Sequence, residues 1–361
     1  MLFSADIILS GKKYGKTAIF NKKQEKTKTM GKKSAIKLDG KDRKILLELE
    51  TNARQSASRI ARKARLSEEV VSYRIKKYIK QEIITKFFVI PIFDKLGFTT
   101  YRIYLRFGGT TPEMEREVVE YIKNEMPCQW IGICDGGWDV IARISARGLF
   151  EFNNLMSDFF LKFGGRIKDK EVTLQLRHTW WPSTYGLTSS PPRKTPQHEI
   201  PASVQPIGHD ETDLKILSLL ARDARMPSVA MAQLTGVSPD TVNFRIKKLL
   251  KEGAIMQFKC FFNRELLGYQ HNQVFARLSS DPKRVRELVA YLNESPEVFF
   301  ISSMVGAWDM QFGIDAKNSV EFHKAFGKIK ESFADVIVDY ESLIVYEEYS
   351  PDPFRHFIEK K

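Results

Sequence analysis

Cysteine is scarce in this chain, and the three thiols, Cys128, Cys134 and Cys260, are too few and too irregularly spaced for a disulfide framework or a zinc site. The six histidines are scattered and form no HExxH-type pair. No metal is therefore predicted, and a reducing compartment is. Also missing is a run of eighteen apolar residues, which argues against a membrane-spanning helix. Leu2 to Leu9 is apolar, but lysines follow it instead of preceding it and no small-residue cleavage site appears, so it does not read as a secretory signal. The expectation is a cytoplasmic protein without a membrane partner. At 361 residues the chain exceeds one ordinary core and predicts two or more domains.

Positive charge is abundant but uneven. Ten lysines against Asp6 and Glu25 between Met1 and Lys37 give +8, leaving +5 of the net +13 for the rest. Residues 1–37 are read as a basic, disordered arm; Met30, close before the first helical pattern, raises the alternative that residues 1–29 reflect a wrong start.

Self-similarity is the strongest signal. Asp39-Gly-Lys-Asp42-Arg-Lys-Ile-Leu46 aligns with Asp210-Glu-Thr-Asp213-Leu-Lys-Ile-Leu217 at an offset of 171. The same offset pairs Asn52-Ala-Arg54 with Asp223-Ala-Arg225 and Arg74-Ile-Lys-Lys77 with Arg245-Ile-Lys-Lys248. It becomes 170 where Gly136-Gly-Trp-Asp139 meets Gly306-Ala-Trp-Asp309. Two copies of one unit follow, over about 38–178 and 209–349. Six of the fifteen prolines fall in 177–208, the composition of an extended linker, with Trp180 and Trp181 expected to pack on the first unit.

Each unit opens with a capping box (Asp39 with Asp42, Asp210 with Asp213), then apolar residues at helical spacing. A second short helix covers about Ala57 to Ala64 and Val229 to Leu234. The hydroxyls of Ser67 and Ser238 cap a third helix whose inner face is Val71, Ile75 and Tyr78 in one unit and Val242, Ile246 and Leu249 in the other. Three short helices with a basic third helix are the helix-turn-helix pattern, and strands at Ile83–Ile90 and Ile255–Phe262 would supply the wing. Candidate DNA contacts are Ser67, Ser72, Tyr73, Arg74, Lys76 and Lys77 in unit 1. In unit 2 they are Ser238, Thr241, Asn243, Phe244, Arg245, Lys247 and Lys248. Lysine and arginine would neutralise phosphates, while residues early in the helix would touch base edges of double-stranded DNA.

The second half of each unit reads β-α-β-β-α-β, the ferredoxin-like order. Helices are expected at about 112–124, 148–163, 282–293 and 318–333, and last strands at 167–176 and 336–345. Apolar residues on both strand faces predict a second covering layer, a partner sheet. The fold class is thus α+β, two tandem units of a winged helix-turn-helix and a ferredoxin-like domain. The boundaries are 38–95, 96–178, 209–266 and 267–349, with a linker at 179–208 and a tail at 350–361.

Leu38-Asp39-x-x-Asp42-Arg-Lys-Ile-Leu46, its copy at Asp210–Leu217, Val237–Leu249, Lys251-Glu-Gly253 and the two Gly-x-Trp-Asp turns make the chain resemble the leucine-responsive/asparagine-regulator (Lrp/AsnC-like) family of prokaryotic transcription regulators. The resemblance implies a cytoplasmic, nucleoid-associated regulator whose sensor domains pair sheet to sheet. It further implies an amino acid or similar small effector near the glycine turn, with Gly136, Asp139, Gly306 and Asp309 as the positions carried over. The same residues would equally serve a plain β-hairpin turn. Because family members have one unit per chain, two units here predict an intrachain pseudo-dimer, a homo-oligomer through the sensor domains, or both. Glu68 and Glu69, where unit 2 has Pro239 and Asp240, suit a helix N-terminus but weaken phosphate attraction, so unit 1 is expected to read a different half-site or to bind poorly.

Ser10-Gly-Lys-Lys-Tyr-Gly15-Lys16-Thr17 approaches a phosphate-binding loop, but its first position is serine and no apolar helix can follow. No catalytic residue and no cofactor are predicted. The main alternative is an enzyme similar to the siroheme decarboxylases, which share this architecture. That resemblance would require a histidine where Gly136–Asp139 and Gly306–Asp309 stand; His178 and His323 are isolated, and read as exposed or packed. An effector-independent architectural DNA-binding protein is a third reading.

Overall fold

The computed structural model describes residues 36–181, 187, 198–199 and 205–358. The predicted arm, apart from its last two residues, and most of the predicted linker lie outside them. Unit 1 begins with helices α1 (Gly40–Thr51), α2 (Ala57–Ala64) and α3 (Glu68–Lys80). The capping box forms as its sequence requires: Asp42 N donates to Asp39 Oδ1 at 2.7 Å, and Asp39 N donates to Asp42 Oδ2 at 3.0 Å. Ile45, Leu46 and Leu49 of α1 are buried together with Val71, Ile75 and Tyr78 of α3, the faces that the helical spacing selects. Strands β1 (Ile84–Pro91) and β2 (Thr99–Phe107) follow, then α4 (Pro112–Glu125), β3 (Cys128–Asp135), β4 (Val140–Ala146), α5 (Leu149–Phe163) and β5 (Ile167–Trp180). A two-residue strand, β6 (His198–Glu199), pairs with the end of β5.

Unit 2 repeats the order with α6 (Glu211–Arg222), α7 (Ser228–Thr235), α8 (Pro239–Lys251), β7 (Ile255–Phe262) and β8 (Gln270–Leu278). It ends with α9 (Pro282–Glu294), β9 (Val298–Gly306), β10 (Met310–Ala316), α10 (Ser319–Ser332) and β11 (Ile337–Tyr349).

The strands predicted as wings do form, but each pairs with the other. β1 and β7 make an antiparallel ribbon, with Phe87 opposite Cys260 and Phe88 opposite Lys259. The turn after α1 docks on it reciprocally: Ala53 N donates to Phe258 O at 2.8 Å and Ala224 N to Phe87 O at 3.0 Å. Apolar residues of both helix-turn-helix units therefore share one core. What the sequence divides as 38–95 and 209–266 is a single body.

The ferredoxin-like halves also join. Each sheet has the order β5-β2-β4-β3 or β11-β8-β10-β9, and the pairs β3–β11 and β5–β9 link their edges, so the eight strands close into a barrel. Closure removes the exposed edges that a four-stranded sheet would present. The predicted covering layer is this opposing sheet: Tyr104, Trp138 and Ile141 from unit 1 pack against Phe275, Met304 and Trp308 from unit 2 inside the barrel. β5 and β11 outrun their predicted ends at 176 and 345 because their last residues pair with the other unit, Thr179 opposite Ile301 and Glu348 opposite Gly132.

This continuation corrects two sequence expectations. Trp181 does not pack on unit 1; its backbone N–H donates to Phe299 O at 2.9 Å, and its ring is buried among Val274, Leu288 and Phe312 of unit 2. Residues 350–358 are not a free tail. Phe354 stacks on Phe93 with centroids 5.3 Å apart, Phe357 packs on Phe98, and Asp352 accepts from Ser218 Oγ and Arg222 Nε at 2.6 and 2.8 Å.

Candidate nucleic-acid interface

The third helix of each unit has one face spent on the core, which leaves a defined outward set. Ser67 Oγ accepts from Val70 N at 3.3 Å and Ser238 Oγ from Thr241 N at 3.1 Å, so both hydroxyls cap as predicted. Tyr73 and Phe244, at equivalent positions, are 69% and 68% exposed, a poor placement for aromatic rings unless another surface covers them. Lys76, Lys77 and Lys247 are exposed on the same side, and Ser72 is partly buried beside them. Lys248 donates to Gly208 O at 3.1 Å, and Asn243 Oδ1 accepts from Ser228 Oγ at 2.6 Å, which fixes the amide at the helix surface.

Arg74 and Arg245, predicted as DNA contacts, turn inward. Arg74 Nη1 lies 2.9 Å from Asp39 and 2.5 Å from Asp42; Arg245 Nη1 lies 2.8 Å from Asp210 and 3.0 Å from Asp213. Burial works against the charge of Arg74, but its hydrogen bonds to the two aspartates outweigh this and hold its pKa above the ordinary value. Both arginines pin the third helix to the cap of the first.

Two groups of basic residues escaped the sequence reading. On unit 1, Arg59, Arg62, Lys63 and Arg65 are exposed along α2 and its C-cap. At an offset of 171 the same positions in unit 2 are Ala230, Gln233, Leu234 and Gly236, so the charge is specific to unit 1. That difference was the available signal. The second group is Arg54 and Arg225, visible as a repeat but given no role. Arg54 Nη1 donates to Ala224 O and Met226 O at 2.6 and 2.9 Å, while Arg225 Nη1 donates to Ala53 O and Gln55 O at 2.6 and 3.1 Å. This reciprocal clamp ties one helix-turn-helix to the other.

Residues 38–79 match the AsnC-type helix-turn-helix domain, and residues 209–256 match the winged helix-turn-helix DNA-binding family. An uncharacterized HTH-type transcriptional regulator of Pyrococcus horikoshii is 31% identical over 122 residues, covering 34% of this chain and 81% of the relative. The chain belongs to the AsnC-type family of transcriptional regulators. The HTH-type transcriptional regulator FL11 of Pyrococcus furiosus is likewise 31% identical over 114 residues, 32% of this chain and 75% of the relative. Less than one unit of this AsnC-type chain thus spans most of such a relative. In fold, the chain is similar to the siroheme decarboxylase NirDL, with a TM-score of 0.56 at 13% identity, over 88% of this chain and 97% of that one.

The four positions carried over for an effector have structural work in this AsnC-type protein. Gly136 and Gly306 adopt φ of +145° and +136°, and a Cβ there would stand 2.8 Å from Leu343 Cβ and Val172 O across the two barrel seams. Asp139 and Asp309 accept from Phe107 N and Leu278 N at 2.6 and 2.8 Å, closing each hairpin onto the neighbouring strand. Trp138 and Trp308 between them fill the barrel. Among the described residues, no helix is long and apolar enough to cross a membrane.

Proposed function

We propose that this AsnC-type regulator binds double-stranded DNA sequence-specifically through two unlike helix-turn-helix units, reading an imperfect palindrome within one chain. The observation that carries this reading is the paired outward set: Tyr73, Lys76 and Lys77 on α3, and Asn243, Phe244 and Lys247 on α8, in units clamped together by Arg54 and Arg225. Unit 2 directs charge at phosphates from its recognition helix. Unit 1, whose α3 opens with Glu68 and Glu69, adds it from Arg59, Arg62 and Arg65 on α2. Both units bind on this reading, at half-sites about 34 Å apart.

Fluorescence anisotropy with the chain's own upstream DNA, against random-sequence DNA over a salt series, tests it. Lys247→Ala should weaken binding to every sequence and flatten the salt slope by about 0.9. Asn243→Ala should instead relax base preference. A perfectly symmetric selected site would favour pairing between chains over pairing within one.

A tetrapyrrole enzyme is the second reading, supported by the fold likeness to NirDL, whose structure was solved with an iron-uroporphyrin III analogue. The barrel-end cavity of this chain, about 110 Å³, is well below the roughly 300 Å³ at which pockets for larger ligands begin. That cavity by itself does not admit a tetrapyrrole.

A further inference from the structure

The β1–β7 ribbon lies over one mouth of the barrel, and a cavity of about 110 Å³ remains between them. Phe88, Ile90 and Lys259 line it from the ribbon; Arg102, Arg143, Gln175 and His178 line it from the barrel, with Trp130 and Phe300 as apolar wall. Arg102 and Arg143 stand directly opposite each other on β2 and β4, where like charges repel. Arg102 Nη2 donates to Gln175 Oε1 at 2.9 Å and to Ser302 Oγ at 2.8 Å, both neutral, and the Nε of each arginine is buried without an acceptor. His178 Nδ1 is 2.6 Å from Ser302 Oγ, while its Nε2 is buried and unpartnered at 5% exposure of the residue.

The other cations of the wall are neutralised in place, Lys259 by Glu50 at 2.6 Å and Arg264 by Glu348; the remaining carboxylate of the lining, Asp94, makes no ion pair among the described residues, and burial raises its pKa. Burial pulls Arg102 down to about 10, and burial with the charge of Arg102 pulls Arg143 down to about 9; both stay charged at neutral pH. The duplication does not demand this cluster, because unit 2 places Gln273 and Gly313 at the matching positions. An uncompensated buried charge is strongly destabilising, and a buried polar group without a partner calls for an ion or ligand to explain it.

Two unneutralised guanidiniums match a dianion, and aromatic walls favour an organic one. A cavity below the roughly 150 Å³ that admits benzene limits it to a chain of about four carbons. We propose that this cavity binds a small aliphatic dicarboxylate, held by Arg102 and Arg143 with Gln175 and His178 beside it. Since the ribbon forms one wall, occupancy also bears on the junction of the two helix-turn-helix units, a consequence that rests on the DNA-binding reading.

The test is thermal unfolding of the full chain with succinate as probe, against acetate and inorganic phosphate at equal concentration and ionic strength. Succinate in about hundredfold excess over its Kd should raise Tm by about 5 °C and change the fluorescence of Trp130 and Trp180, with acetate and phosphate leaving both unchanged. No shift with succinate, or an equal shift with phosphate, overturns the proposal. Arg143→Met should unfold no earlier than the parent without ligand, since it removes a charge that has no partner, and should lose the succinate shift. A large drop in its ligand-free Tm, or a retained shift, counts against the proposal. Arg102→Gln, which copies Gln273, provides the same comparison should the first variant not fold. DNA affinity measured with and without succinate addresses the coupling separately: a Tm shift with unchanged affinity removes the coupling and leaves the site.

Discussion

Replacing the Arg54–Arg225 clamp should loosen the helix-turn-helix body while sparing the barrel. Each guanidinium gives two hydrogen bonds to backbone carbonyls of the other unit, and methionine would keep most of the stem without them. A hydrogen bond to a charged group contributes about 1.5–3 kcal/mol, and both side chains are only partly buried, so water regains some of the loss and about 2 kcal/mol per arginine is the reasonable figure. The double variant should lose more than twice that. Burial lowers the pKa of Arg54, Asp223 opposes the shift, and the charge of Arg225 adds to it, so removing one arginine relieves the other. A coupling of about 1 kcal/mol is expected, giving roughly 5 kcal/mol in total, a large part of the 5–15 kcal/mol that ordinarily holds a domain. All five tryptophans lie outside the helix-turn-helix segments, so urea unfolding followed by fluorescence reports the barrel while far-UV circular dichroism reports all helices. The variants should show an early dichroism phase with an unmoved fluorescence midpoint, and should lose more affinity for a two-half-site DNA than for a single half-site. Coincident shifts of both probes, or strictly additive losses, would refute the reasoning.

Three further perturbations separate structure from function. Gly306→Ala places a Cβ 2.8 Å from Val172 O at a φ of +136° and should destabilise the chain by about 2 kcal/mol or more, read as a lower denaturation midpoint; an unaltered midpoint with a changed ligand response would restore the effector role of the turn. Arg65 caps α2 at a φ of 57°, where unit 2 has Gly236 at 73°, so Arg65→Gly should stabilise by up to about 1 kcal/mol while weakening DNA binding, and a loss of stability would contradict the strain argument. His178 and His271 are held neutral chiefly by burial, with nearby arginines adding to it, and their folded pKa values lie well below 6.5. The unfolded chain therefore takes up protons first as pH falls through about 6.5, and stability should drop below that pH by up to about 1.4 kcal/mol per pH unit per histidine, with His271→Asn halving the slope. A slope unaffected by that variant would show that other groups titrate there.

Much of the local architecture was legible because its causes lie within a few residues of each other. The capping boxes at Asp39 and Asp210, the inner faces of the third helices and the β-α-β-β-α-β order depend on spacings of two to four, and they appear where the sequence places them. The repeat at an offset of 171 made the two-unit plan readable for the same reason. Partners far apart were not legible. Nothing local shows that β1 pairs with β7, that β5 runs on along β9 to bury Trp181 in the other unit, or that Arg74 turns toward Asp39 instead of outward. His178 read as an isolated residue, and nothing in the sequence singled out Arg102 or Arg143, because the charge they fail to share is a property of the closed barrel. Short spacings along the chain were enough for the elements, their duplication and the family. Which edges meet and which charges are left without partners came only with the closed fold, since those depend on burial shared between residues that the chain separates by a whole unit.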